Sequence, residues 1–211
     1  MPDTKGWPVT DLGIELAGEN HAGARIEVDR VRWSGTASFT LTGPELPQTA
    51  EKQIVGWIPD IDLRWNNMAY RIPDLICFGK DNGRGHLATG TREWTDYSVE
   101  TEMAVHCADA AGIMVRYQGL RRYVALLKTA AGIKLVRRCY EETVLAEKPL
   151  AWEVDTLHTL KLTAKGERVT AFVDGAKVFE HTEKELLCGG AGFVVETGVM
   201  GVKRLTVGQA R

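Results

Sequence analysis

Hydrophobic and polar residues alternate one by one through the middle of this chain. From Tyr97 to His106 the odd positions carry Tyr, Val, Thr, Met and Val, whereas the even positions are mostly polar and include Glu100 and Glu102. Because the side chains of a β-strand point alternately to its two faces, this period of two predicts a strand with one buried and one solvated face.

Short apolar segments separated by turn residues continue the pattern on both sides. Three further strands are predicted directly after the first, forming with it an antiparallel meander, at Gly112–Gln118, Arg121–Thr129 and Ile133–Cys139. A hairpin through Asn82-Gly83 is predicted to join strands at Leu75–Gly79 and Arg84–Thr91, because Asn-Gly favours a tight two-residue turn. Asp174-Gly175 predicts a second hairpin for the same reason.

From Leu75 onward the pattern yields about eleven or twelve short strands at spacings of roughly ten residues. So many strands exceed an immunoglobulin-type count and favour a jelly roll. The predicted fold class is all-β, an antiparallel two-sheet jelly-roll sandwich with a small N-terminal β segment.

Three regions follow from this pattern. Residues 1–45 are predicted as an N-terminal β segment with strands at Asp11–Leu16, Gly23–Trp33 and Thr36–Leu41. Its run DLGIELAGENHAGARIEVDRVRWSG resembles the closing strands of a galactose-binding-like module. Prolines punctuate residues 46–73, which are predicted as an irregular linker. Residues 74–211 are predicted as the jelly roll.

The segments WTDYSVETEM, AAGIMVRYQGLRRYVALLKT, LHTLKLTAKGERVTAFVDGAKVFEH and GGAGFVVE resemble a concanavalin A-like lectin/glucanase jelly roll of the laminin G-like group. The resemblance covers about residues 84–208, and its sharpest marks are W-x-D-Y at Trp94–Tyr97 and V-D-G at Val173–Gly175. It implies that the central strands line a concave sheet on which a glycan lies. GTREWTDYSVE and GLRRY also resemble the C-terminal accessory region of some bacterial ADP-ribosylglycohydrolase proteins, whose catalytic motifs are not found here.

The composition removes several classes of partner. A formal net charge of −2 with balanced acids and bases argues against nucleic acid and anionic membranes as partners. No apolar run predicts a membrane span, and the sequence shows no signal peptide, so a cytoplasmic location is predicted. The four cysteines form no CxxC pair and are predicted to be buried free thiols, and no metal or other cofactor is predicted. The oligomeric state is left open.

Candidate chemistry is sparse. Glu27-Val28-Asp29 begins the E-x-D-x-x-E pattern of jelly-roll glucanases, but Arg32 stands where the second glutamate should be. Glu100 and Glu102 could raise each other's pKa, although solvated acids on an outer strand face are commoner. His158 alternates with leucines and is predicted to be a core histidine.

A sugar site is the remaining possibility, because aromatic rings stack on pyranose faces while charged and amide groups bind hydroxyls. The predicted ligand-binding residues come mainly from the central strands, together with one rim aromatic and one acid: Arg116, Gln118, Arg122, Tyr123, Trp65 and Glu102. A basic cluster either pairs with nearby glutamates or holds an anionic ligand such as a sugar phosphate or ADP-ribose. This cluster comprises Arg121, Arg122, Arg137 and Arg138.

The sequence therefore predicts a noncatalytic, lectin-like module that binds a glycan or another sugar-containing molecule. It is expected to be an accessory part of a larger carbohydrate-active or ADP-ribosylglycohydrolase-type protein. Two alternatives stay open. One is a glycoside or keto-disaccharide hydrolase on the same jelly roll, and the other is a structural or dimerisation module.

Overall fold

The structure is a computed structural model that describes residues 13–15, 17, 23, 25–30, 36–42, 56–62 and 75–210. Twelve strands run through these residues: β1 (Phe39–Thr42), β2 (Ile58–Asp60), β3 (Ile76–Thr89), β4 (Tyr97–Val105), β5 (Ala110–Gly119), β6 (Arg122–Thr129), β7 (Gly132–Cys139), β8 (Glu141–Lys148), β9 (His158–Lys165), β10 (Arg168–Val173), β11 (Ala176–Thr182) and β12 (Gly190–Gln209). Within these ranges, no helix long and apolar enough to cross a membrane is present.

Strand β12 is the element to which both sheets attach. Its first half pairs with β5 on one side and with the end of β3 on the other. Its second half pairs with β4 on one side, and with the start of β3 and then β1 on the other. The front sheet therefore has the order β2-β3-β12-β5-β6-β7-β8, and the back sheet continues from β12 through β4, β9, β10 and β11. Every pair is antiparallel, as an all-β jelly roll requires.

The hairpin predicted at Asn82-Gly83 is wrong. Here β3 bends without reversing, and β12 bends beside it where the register shifts between Glu196 and Gly198. Positive φ angles of 75° at Gly83 and 136° at Gly198 accompany the two bends, and the Gly83 N–H donates to Thr197 Oγ1 at 3.2 Å. Both halves of β3 pair with the same long neighbour, so the glycine serves a bulge that passes the strand from one sheet to the other.

The alternation through β4 is confirmed. Tyr97, Val99, Thr101, Met103 and Val105 are each at most 2% exposed and face the space between the sheets. Apart from the polar Thr101, they belong to one core with inward-facing side chains of the front sheet, among them Ile113, Val115, Val124, Leu126 and Phe193. Each such buried side chain contributes about 1.5–3 kcal/mol relative to an exposed one.

The predicted four-stranded meander is wrong by one strand, because β4 pairs with β9 and β12 in the back sheet. Residues 106–109 carry the chain across to the front sheet, where the Asp109 N–H donates to the carbonyl of Glu196 at 3.0 Å. The meander begins only at β5 and runs to β8.

Two strands that precede the predicted jelly roll are part of its sheets. Leu41 of β1 is 1% exposed and pairs with Leu205, which confirms residues 39–41 of the strand predicted at Thr36–Leu41, whereas residues 36–38 form no strand. Before β2, Trp57 stacks on Phe193 with ring centroids 6.1 Å apart. The described residues 13–15 and 25–30 are exposed and form no strand, so the strands predicted there are wrong in those parts. The remainder of those two predictions lies outside the described residues, and the division into three regions stays a prediction.

The bend in β12 gives a stability prediction. A Cβ at Gly198 would lie 2.1 Å from the Cys107 carbonyl oxygen, whereas a Cβ at Gly175, which also has positive φ, meets nothing within 4 Å. We expect Gly198→Ala to lower the free energy of unfolding by at least about 3 kcal/mol and Gly175→Ala by about 1 kcal/mol. Urea denaturation of both variants measures this difference, and equal losses would contradict the close packing at the bend.

Candidate functional site

The outer face of the front sheet has an apolar floor. Residues that alternate with the core positions form a second cluster with no exposed surface, made of Ala88, Met114, Tyr123, Ala125, Leu127, Val136 and Val194. A solvated outer face would expose side chains at these positions. The floor is therefore covered by a further layer.

The front sheet is strongly curled. Arg84 of β3 and Glu142 of β8 lie five strand spacings apart, which is about 24 Å along a flat sheet. Their side chains nevertheless meet, with Arg84 Nη1 2.5 Å from Glu142 Oε2. An arginine and a glutamate cannot span a flat sheet of that width, so the outer face is concave and its two sides approach each other.

A network of charged side chains lies over the floor of this concave face. The other end of the Arg84 guanidinium donates to Glu196 Oε2 at 2.9 Å, and Arg84 Nη1 also donates to the Tyr123 hydroxyl at 3.2 Å. Lys134 donates to the second oxygen of Glu142 at 3.0 Å. Burial acts to raise the pKa of Glu142, but the hydrogen bonds from Arg84 and Lys134 outweigh it and hold that pKa below its ordinary value.

His86 lies beneath this network and is 3% exposed. Its ring centroid is 5.0 Å from that of Tyr123 and 6.2 Å from that of Tyr117, and its Nδ1 is 3.7 Å from a carboxylate oxygen of Asp60. Burial, together with the positive charge of Arg84, lowers the pKa of His86 to about 4 against the opposing effect of Asp60. The imidazole is therefore neutral near pH 7, and neither ring nitrogen has a hydrogen-bond partner among the described residues.

The four arginines of the basic cluster do not form one stripe. Three have partners: Arg121 with Glu141 at 3.3 Å, Arg137 with Glu185 at 2.6 Å, and Arg122 with Gln118 at 3.2 Å. Arg138 is half-buried on the concave face, opposite Tyr123 on one neighbouring strand and Glu142 on the other. Among the described residues it has no hydrogen bond or ion pair.

Three of the predicted ligand-binding residues lie at one end of the sandwich, off the concave face. Arg116 has no exposed surface, and its guanidinium donates to the carbonyls of Leu186 at 2.8 Å and Gly166 at 2.5 Å. Gln118 donates to the carbonyl of Cys188 at 2.9 Å and accepts a hydrogen bond from Arg122. The register of β5 against β6 shifts after Val115, and Arg116 has a φ of 55°, so simple alternation fails at this bulge.

The other predicted residues are also dispersed. Tyr123 lies in the floor of the concave face. Glu102 lies on the outer face of the back sheet, 2.7 Å from Arg204, near a shallow depression lined by Glu100 and Lys161. Trp65 lies outside the described residues. The structure therefore does not bring the predicted set together, and a ligand-binding role for each member stays a prediction.

Sequence reasoning missed the residues that do converge, namely Arg84, His86, Glu142 and Glu196. Period-two alternation places Arg84 and His86 on one face of β3, so part of the signal was present. The predicted hairpin instead placed Arg84 beside a turn. The meeting of β3 with β8 depends on sheet curvature, which a local pattern does not encode.

The described residues contain no group of three or more His, Cys, Asp or Glu side chains that could hold a metal ion. All four cysteines are free thiols as predicted, but only Cys77 is buried, and Cys107 is exposed. The concave face thus offers a guanidinium, an ammonium, carboxylates, phenols and a neutral imidazole for hydrogen bonding.

No protein-family model matches the sequence, and no curated protein sequence matches it significantly. Solved structures do resemble the fold. The carbohydrate-binding module CBM66 from Bacillus subtilis has a TM-score of 0.62 at 16% identity, covering 73% of this chain and 96% of its own. The exoplasmic/lumenal domain of VIP36 with Ca2+ and Man bound has a TM-score of 0.58 at 12% identity, covering 81% of this chain and 89% of its own. A Bacillus subtilis protein of unknown function with a galectin-like fold has a TM-score of 0.53 at 12% identity, covering 74% of this chain and 90% of its own. The chain therefore has a concanavalin A-like or galectin-type jelly-roll fold.

The charged network predicts a difference between two arginines that each bind glutamate. The Arg84 side chain is 14% exposed and holds two carboxylates, whereas the Arg204 side chain is 48% exposed and holds one. We expect Arg84→Met to cost about 2–4 kcal/mol of unfolding free energy, because two half-buried carboxylates lose their partner. Arg204→Met on the back sheet should cost less than about 1 kcal/mol. Chemical denaturation compares the two, and similar losses would show that the network does not hold the curled sheet.

The lowered pKa of His86 predicts a pH dependence of stability. Between the ordinary value of 6.5 and the folded value of about 4, the unfolded chain binds a proton that the folded chain does not. Stability is therefore full above pH 6.5 and falls by up to roughly 3 kcal/mol as the pH drops towards 4. The loss of the Glu142 contribution follows only below its ordinary pKa of 4.5.

His86→Gln provides the control, because a side chain that does not titrate removes this proton linkage. Unfolding free energies measured from pH 7 to pH 4.5 should fall for the native chain and stay nearly flat for the variant. Parallel profiles would mean that His86 titrates normally and is not held neutral in the concave face.

Proposed function

We propose that this jelly roll is a carbohydrate-binding module whose ligand lies on the concave face of the front sheet. The observation that carries the proposal is the Arg84 guanidinium held between Glu142 and Glu196, above an aromatic layer in which both ring nitrogens of His86 lack partners. Donors and acceptors thus alternate over a concave, largely apolar surface.

Sugar hydroxyls fit this arrangement because each can donate and accept a hydrogen bond. A hydroxyl that accepts from Arg84 or Lys134 can donate to the adjoining carboxylate. The Glu196 side chain is 35% exposed and Lys134 is 21% exposed, so both remain within reach of a ligand. Tyr117 is half-buried and supplies flat aromatic surface of the kind that packs against a pyranose ring, and the buried Tyr123 stacks beneath it with ring centroids 6.4 Å apart.

The fold supports the same role. One similar structure is named as a carbohydrate-binding module, and another has Man bound. The accessory placement within a larger carbohydrate-active or ADP-ribosylglycohydrolase-type protein is part of this proposal. Its support is the resemblance of GTREWTDYSVE and GLRRY to the C-terminal accessory region of some bacterial ADP-ribosylglycohydrolase proteins.

Electrostatics make Glu142 unsuited to the general-acid role of a glycosidase. Such an enzyme uses a pair of carboxyl groups, and Glu142 and Glu196 are the two that flank the Arg84 guanidinium. One member of such a pair must keep a proton to protonate the leaving group, and its pKa is normally raised. The pKa of Glu142 is lowered instead, because Arg84 and Lys134 stabilise its ionised form. Glu142 is therefore suited to accepting hydrogen bonds from hydroxyls.

A role in strand-to-strand dimerisation has less support. Strand β8, which ends the front sheet, carries four charged residues among its eight: Glu141, Glu142, Glu147 and Lys148. Charged side chains on an edge strand oppose the addition of another strand. The concave face thus remains the better candidate for a binding surface.

Two isosteric variants test the proposal. Glu196→Gln alters the concave face, and Glu102→Gln alters a carboxylate of similar exposure that pairs with an arginine on the opposite face. On a glycan array followed by calorimetry, we expect the native chain to bind a saccharide and Glu196→Gln to weaken binding roughly tenfold or more. Glu102→Gln should bind as the native chain does.

Melting temperatures within a few degrees of the native value are required of both variants. Loss of binding in Glu102→Gln alone would place the ligand on the back sheet, where Glu102, a predicted ligand-binding residue, lies. The absence of any saccharide ligand for the folded native chain would reject the carbohydrate-binding role.

A further inference from the structure

Arg138 is unlike the other cations of the concave face because it has no partner. Arg84 holds Glu142 and Glu196, and Lys134 holds Glu142. Arg138 is half-buried, its Nε atom is shielded from solvent, and it forms no hydrogen bond or ion pair with any residue that the structure describes. An arginine in this position carries the cost of partial desolvation without a compensating contact.

The carboxylates described on the concave face are engaged by cations other than Arg138. Glu142 and Glu196 bind Arg84, and Glu142 also binds Lys134. The exposed Glu147 lies opposite Lys134 across β7 and β8, Asp60 pairs with Lys80 at 3.1 Å, and His86 is neutral. Among the described residues of this face, Arg138 is therefore the cation to which no carboxylate is bound.

The position of Arg138 suits a ligand that also contacts the hydroxyl-binding network. Arg138 lies on β7, opposite Tyr123 of β6 on one side and Glu142 of β8 on the other. Burial lowers the pKa of His86 and raises that of Tyr123, and the positive charge of Arg138 acts to lower both, so Arg138 lies close to both side chains. The planar fork of a guanidinium matches the two oxygens of a carboxylate, and a ligand carboxylate would supply the partner that Arg138 lacks among the described residues.

We propose that the concave face recognises an acidic saccharide that contains a uronic acid, with the carboxylate paired to Arg138. The sugar hydroxyls then lie against Arg84, Glu196 and Lys134. This inference rests on the proposed carbohydrate-binding function and narrows it to one class of glycan.

A second readout follows from the neighbours of His86, which are Asp60, Arg84, Tyr117, Tyr123 and Arg138. A carboxylate bound to Arg138 offsets one of the two positive charges that disfavour the imidazolium. The pKa of His86 should therefore rise on binding an acidic sugar, and the affinity should increase as the pH falls towards the His86 pKa of about 4. A neutral sugar should leave the His86 titration, followed by NMR, nearly unchanged.

The direct test compares uronic acid oligosaccharides of several stereochemistries with their methyl esters, which keep the ring and lose the charge. For the native chain we expect at least one acid to bind, and its ester to bind ten- to a hundredfold more weakly. In Arg138→Met the acid and the ester should bind with similar, weak affinity. Arg138→Lys keeps the positive charge but loses the planar, two-pronged geometry of the guanidinium. It should therefore recover only part of the preference for the acid over the ester.

Arg204→Met, on the back sheet, is the matched control and should keep the full preference for the acid. Equal binding of acid and ester by the native chain, or an unchanged preference in folded Arg138→Met, would overturn the inference. Binding of neutral glycans alone would overturn it as well, while leaving the proposed function intact. A sulfated oligosaccharide that binds more tightly than every uronate would overturn the assignment of a carboxylate. It would identify a sulfate ester as the group that Arg138 binds. A folded chain that binds no glycan of either kind would overturn both.

Discussion

The pairing of β3 with β12 along both of their halves is the constraint on which the rest of the structure depends. Each strand belongs to both sheets, and each bends at the same level, β3 at Gly83 and β12 at Gly198. Because the backbone hydrogen bonds continue on either side of the bend, the two sheets cannot shift independently along these strands. This shared pair of strands therefore determines how the two sheets enclose their common core. It also determines the register of β4 and β5, and so which of their side chains face that core.

The concave face is a consequence of how far the front sheet curls from this pair. Curling brings β3 and β8 together, and the ion pair between Arg84 and Glu142 joins the two sides. The same closeness removes water from His86, which is why its pKa is lowered. Binding groups, electrostatics and curvature are thus linked, since a flatter sheet would separate the charges and solvate the histidine.

The sequence predicted what depends on local pattern and failed where distant strands meet. Alternation located β4, and the turn residues Asp174-Gly175 correctly placed the β10–β11 hairpin. Asn82-Gly83 has the same chemistry, but its flanking segments share a third strand as a partner, so the chain bends there without reversing. The structure does not bring the predicted site residues together, for two reasons. A bulge at Arg116 broke the alternation, and the contact of Arg84 with Glu142 spans 58 positions of sequence.

Arg116 and Tyr97 join parts of the molecule that are far apart in the chain. The Arg116 N–H in the front sheet donates to the Tyr97 hydroxyl of the back sheet at 2.7 Å, and that hydroxyl also lies 2.7 Å from the Gly190 carbonyl oxygen, where β12 begins. The Arg116 guanidinium also donates hydrogen bonds to the carbonyls of Leu186, in a loop, and of Gly166, in a turn. Breaking any one of these contacts inside the protein leaves the others with buried, unpaired groups. This end of the sandwich therefore opens in a single cooperative step, and its amide protons exchange with solvent mainly through unfolding of the whole chain.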